Sequence, residues 1–106
     1  MAFKCDIPAV PTAVQEDDVV RITRWDFSPG AVTGWHQHGW PYFVVLLTDS
    51  RMHVHDGEKV TEMSYSAGHT YMRPAGVTHD VMNGGDKPMA FIEIEVKSPD
   101  RLVTLK

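Results

Sequence analysis

Apolar residues in this chain either alternate with polar ones or gather in short runs, and no segment sustains the roughly 3.6-residue spacing of an amphipathic helix. β-prone runs stand at Val19–Phe27, Gly34–His38, Tyr42–Thr48, Met52–His55, Thr70–Arg73, His79–Asn83 and Ala90–Lys97. Turn-forming residues punctuate them: Ser28-Pro29-Gly30, Asp49-Ser50, Asp56-Gly57, Ala67-Gly68, Pro74-Ala75-Gly76 and Asn83-Gly84-Gly85-Asp86. Asp56-Gly57 reads as a two-residue hairpin turn, since glycine accepts positive φ. The pattern predicts an all-β fold. Many short antiparallel strands must close into a barrel or pair as two sheets, because an open sheet would leave exposed edges. Met1–Asp18, with Pro8 and Pro11, reads as an irregular arm, residues 19–97 as the barrel, and 98–106 as a short strand or loose tail.

At 106 residues the chain holds one domain. Its 42% hydrophobic and 23% charged residues exclude disorder. The longest apolar run, Phe43–Leu47, is far short of the roughly 20 residues of a membrane-crossing helix. No apolar segment follows Met1–Lys4 as a secretory signal would, so the expected compartment is the cytoplasm. Ten basic residues against fourteen acidic ones are scattered singly, which leaves no stripe for a nucleic acid backbone. The one cysteine, Cys5, excludes an internal disulfide and a thiolate metal cluster. Six histidines then carry the interest.

His36 and His38 sit two apart, so on a strand both imidazoles leave the same face. His79 follows the Pro74–Gly76 turn and is able to bring a third imidazole from a neighbouring strand. Three neutral imidazoles around one divalent ion, with positions left open, form a reactive metal site. His53-Val54-His55 reads at first as polar decoration of a hairpin, and His69 as an ordinary turn residue.

Gly30-x5-His36-x-His38 matches the opening of the first cupin motif, G-x5-H-x-H-x3,4-E-x6-G. Gly68-x5-Pro74-x-Gly76-x2-His79-x3-Asn83 matches the second at every position. The chain therefore resembles the small single-domain, RmlC-like cupins over about Val19–Val96, and with Arg73–Gly76 it looks most like those assigned to β-alanine degradation. The resemblance implies a double-stranded β-helix, or jelly-roll barrel, with His36, His38 and His79 as ligands of a divalent ion (iron, zinc, manganese or nickel). It also implies a homodimer that the N-terminal arm could help to join.

The chain departs from the family where the glutamate ligand should stand: that place holds Tyr42, and the next motif glycine is Asp49. Three neutral ligands leave the ion's charge uncompensated, which favours an anionic ligand such as a carboxylate or enolate. Tyr42 shares the parity of His36 and His38, and so is expected to donate to a bound oxygen, to ligate, or only to pack. Tyr71 and Arg73 share a face; Arg73 is expected either to clamp a substrate carboxylate or to pair with Glu93, Glu95 or Asp80. By the parity of the family's inward apolar positions, His53 and His55 become candidates for lining the pocket and for the missing ligand, beside their reading as hairpin decoration. Tyr42, His53 and Glu93 are the candidate proton-transfer groups. Two functions fit: a metal-dependent dioxygenase, lyase or isomerase acting on a small anionic or carbonyl compound, or a non-catalytic barrel that binds or senses a small ligand.

Overall fold

The computed structural model describes residues 7–103 as two antiparallel sheets folded face to face. Its elements are β1 (Val10–Glu16), β2 (Val20–Phe27), β3 (His36–Gln37), β4 (Tyr42–Leu46), β5 (Ser50–His55), β6 (Val60–Tyr65), β7 (Thr70–Arg73), β8 (Thr78–Asn83), β9 (Met89–Val96) and helix α1 (Pro99–Val103). One sheet runs β1-β2-β9-β4-β7 and the other β3-β8-β5-β6. This is a jelly roll of the kind expected.

Strand alternation builds the core. In β4 the buried positions are Tyr42, Val44 and Leu46, while Phe43 and Val45 face out. Phe27, Met89 and Phe91 join Leu46 from the same sheet, and Met52 and Val81 meet them from the other. Phe27 and Phe91 pack with ring centroids 5.3 Å apart. Burying each such side chain contributes about 1.5–3 kcal/mol.

Register grades the interior along the strands. Arg21, Glu95, Tyr42 and Arg73 stand side by side across four strands, and Thr23, Glu93, Val44 and Tyr71 form the next row. Trp25, Phe91 and Leu46 follow, and Phe27 and Met89 close the far end. One end of the vessel is thus polar and the other apolar.

Three local expectations are corrected. Val10–Glu16 is not irregular: it pairs along β2 as the edge of the larger sheet, where Pro11 needs no ladder partner on its outer side. The turn after β5 is centred on Gly57-Glu58 rather than on Asp56-Gly57: the Asp56 amide donates to the Lys59 carbonyl, the Asp56 carboxylate accepts from the Glu58 and Lys59 amides, and β6 follows. Pro99–Val103 is a helical turn rather than a strand or loose tail. The rest of the expected arm and tail, Met1–Asp6 and Thr104–Lys106, lies outside the described residues, as does Cys5. Among the described residues no helix is long and apolar enough to cross a membrane.

Candidate metal centre

Three imidazoles meet at the polar end. β3 and β8 pair with His36 opposite His79, and His38, two residues on, leaves the same face of the chain as His36 before the bend at Gly39–Trp40. The backbone amide of His38 donates to the Val77 carbonyl and its carbonyl accepts from Gly76, which ties the second histidine to the turn before β8. His36 Nε2 lies 3.0 Å from His38 Nε2, which is 3.2 Å from His79 Nε2.

The tautomer of His36 follows from its neighbour. Its Nδ1 is 2.7 Å from the Gly34 carbonyl oxygen, which can only accept, so Nδ1 carries the hydrogen and Nε2 presents a lone pair. Burial, reinforced by His36, lowers the pKa of His38 to about 4; the same causes, with His38 added, lower His79 to about 3. Both rings are therefore neutral at pH 7. Nitrogen lone pairs directed at one another across about 3 Å repel unless a proton or cation lies between them. A divalent cation suits this donor set: two atoms bound to one ion at about 2.1 Å stand roughly 3–3.4 Å apart in cis-octahedral or tetrahedral arrangements.

Tyr42 lies flat against His38, with ring centroids 3.8 Å apart and 19° between the planes. Burial, and then the nearby Glu93 carboxylate, hold its hydroxyl above the ordinary phenol pKa. Behind His38 stand two buried acids. Glu93 Oε2 is 3.9 Å from His38 Nε2, and Glu95 Oε2 is 3.9 Å from His38 Nδ1. Glu95 accepts both arms of the Arg21 fork at 2.7 and 3.0 Å. Glu93 has no such cation, and burial together with Glu95 raises it to about 7.

The cluster has space on each side. A cavity of about 450 Å³ is walled by His36, His38, Glu93, Glu95, Arg21 and Trp25. A smaller one of about 180 Å³ is walled by His79, Tyr42, Tyr71 and Arg73. A recess of about 590 Å³ at the far end of the strands, beside Asn83 and Met89, contains none of these groups.

The structure brings together His36, His38, His79, Tyr42, Tyr71, Arg73 and Glu93. Arg73 forms no ion pair with Glu93, Glu95 or Asp80; its guanidinium lies 5.4 Å from the Tyr71 ring centre. Glu95 is occupied by Arg21, and Asp80 accepts from the Gly34 amide.

His53 and His55 are not in the pocket, against expectation. The inward positions of β5 are Ser50, Met52 and Val54, which put both histidines on the outer face beside Met82 and Asp80. His53 Nε2 is 3.2 Å from Glu62, and the His55 ring meets the Trp35 edge at 6.0 Å. Neither ring joins the cluster of His36, His38 and His79. Arg21 and Trp25 escaped sequence reasoning, although a readable signal was there: Arg21-x-Thr23-x-Trp25-x-Phe27 places an arginine at an inward position of β2.

A cupin-domain profile matches residues 23–95. The β-alanine degradation protein BauB of Pseudomonas aeruginosa is 42% identical over 89 residues, 84% of this chain and 94% of that one. The crystal structure of a cupin domain from Bordetella pertussis superposes with a TM-score of 0.84 at 37% identity, covering 87% of this chain and 96% of that one. The polyketide cyclase RemF of Streptomyces resistomycificus shares the fold at 16% identity, with a TM-score of 0.67 over 88% of this chain and 70% of its own.

Proposed function

The chain belongs to the cupin family, and on that premise we propose a divalent-metal-dependent enzyme that acts on a small anionic or carbonyl compound by dioxygenase, lyase or isomerase chemistry. The observation that carries this reading is the convergence of three imidazole Nε2 atoms at 3.0 and 3.2 Å. His36, His38 and His79 would hold the ion, whether iron, zinc, manganese or nickel. Bound there, such an ion supplies Lewis acidity or, as iron, one-electron chemistry.

The chain's own residues select and handle the substrate. Arg73 presents a planar fork without a carboxylate partner among the described residues, in a cavity that also reaches His79. That fork matches a substrate carboxylate. At about 180 Å³ the cavity lies below the roughly 300 Å³ at which pockets for drug-sized ligands begin, so it suits a compound of few heavy atoms. Tyr42 keeps its proton and donates to a substrate oxygen from the same wall. The name of the Pseudomonas relative points the same way: β-alanine and the acids made from it are small carboxylates. The macromolecular partner we propose is a second copy of the chain.

Metal analysis of protein purified without chelators tests the reading. Wild type should carry about one ion per chain. His36→Ala and His79→Ala should each lose most of it, while His69→Ala, whose ring stacks on Tyr65 away from the cluster, should keep it. Equal losses in all three would contradict the ligand assignment. Substoichiometric metal with a melting temperature unmoved by EDTA would favour the non-catalytic ligand-binding barrel instead.

A further inference from the structure

The place of the family's carboxylate ligand holds Tyr42, yet a carboxylate reaches the imidazoles from another strand. β9 lies against β4 with Glu95 opposite Tyr42 and Glu93 opposite Val44, so both acids point inward from the strand next door. The two are not equivalent. Glu95 is committed to the Arg21 guanidinium and approaches His38 at Nδ1, the ring nitrogen turned away from the cluster. Glu93 is 8% exposed, has no Lys or Arg partner among the described residues, and approaches Nε2, the nitrogen that His38 turns toward His36 and His79.

Distance to one imidazole, that of His38, allows a shared ion, while His36 and His79 lie beyond the present reach of Glu93. Atoms bound to one dication at about 2.1 Å lie at most about 4.2 Å apart. The 3.9 Å between Glu93 Oε2 and His38 Nε2 falls within that span. Charge supports it as well. A buried carboxylate without a cation is costly, and three neutral imidazoles leave a dication uncompensated; each deficit answers the other. Resting on the metal reading above, we propose that Glu93 is the carboxylate ligand of this centre, supplied by β9 in place of β4, while Tyr42 fills the vacated space by stacking on His38. Glu93 now groups with His38 and Glu95 rather than with all three imidazoles, so ligation asks it to turn about its side-chain torsions toward His36 and His79.

Cobalt(II) titration followed by calorimetry and visible absorption tests this on the full chain. Glu93→Gln should weaken cobalt binding at least about tenfold and shift the ligand-field bands. Glu62→Gln, which removes one negative charge from an exposed site on the outer face, should do neither. Adding formate to Glu93→Ala should restore both the affinity and the wild-type spectrum, an outcome that a merely structural role would not produce. Should the alanine variant fail to fold, the near-isosteric glutamine variant decides alone. Wild-type affinity and unshifted bands in Glu93→Gln would overturn the proposal, and so would weaker binding with unshifted bands. The metal reading fails separately: wild type would then bind no cobalt, or His79→Ala would bind it as well as wild type.

Discussion

His38, His79 and Glu93 pull the pH dependence of the metal-free protein in opposite directions. The two histidines titrate near 6.5 when unfolded but at about 4 and about 3 when folded, so between those values the unfolded chain binds more protons and acid destabilises the fold. Glu93 behaves in reverse. Its pKa rises from 4.5 to about 7 on folding, so its contribution is present below 4.5 and is lost as pH rises through 7. From about pH 6.5 to 4.5 two protons favour unfolding and one opposes it, so the balance tips toward unfolding as the pH falls. Calorimetry of chelator-treated protein should show the melting temperature falling across that window. The fall should be steeper in Glu93→Gln and shallower in His79→Gln; a flat profile in wild type would contradict the burial of the neutral rings. The imidazoles were legible in the sequence because motif spacing survives folding unchanged. His53 and His55 were assigned to the wrong face because a parity borrowed from the family slips by one residue, and one residue turns every side chain of a strand over. Glu93 was named beside the site, but its approach to His38 was not legible: that depends on β9 lying beside β4, a pairing between residues about fifty positions apart.

Elements show why some strands announced themselves and others did not. β4 and β9 carry apolar runs and were read nearly to their ends, whereas β1 bears Pro11 and is exposed along its whole length. β6 interleaves Glu62 and Ser64 with Met63 and Tyr65, so a half-buried strand resembled a polar loop. The packing of β5 against β8 makes a further demand at Gly84. A Cβ there would fall 2.7 Å from Cδ2 and Nε2 of His53, a rigid ring that also faces Glu62. Gly84→Ala must therefore move the ring and should destabilise the protein by about 1–3 kcal/mol in urea denaturation. At Gly85 the nearest atom to an added Cβ is 3.5 Å away, so Gly85→Ala should stay within about 0.5 kcal/mol of wild type. Equal costs at the two positions would mean that the His53 contact does not constrain the connection from β8 to β9.

The two faces of the larger sheet are apolar in different ways, and this bears on the whole molecule. Its inner face closes over the core; its outer face places Ile22, Ile94, Phe43 and Met72 in one cross-strand row, with Ile92 and Val45 beside them. Five of these are half-buried and Met72 is 61% exposed, on a face that in an isolated barrel would be polar. A contiguous apolar patch on a soluble domain marks an interface, and one protein packing such a patch on its own copy gives a closed two-fold dimer. Sedimentation equilibrium should accordingly return twice the 11.9 kDa chain mass. Ile94→Asp should return the single-chain mass while circular dichroism remains that of a folded β protein, because the substituted side chain points away from the core. The competing surface is the free edge of β1, where Val10 and Val14 are 57% and 58% exposed. A proline and a bulge between Ala13 and Gln15 disrupt that edge for strand addition, so Val14→Lys should leave the dimer intact. Dissociation by Val14→Lys with no effect of Ile94→Asp would move the interface from the sheet's face to its edge.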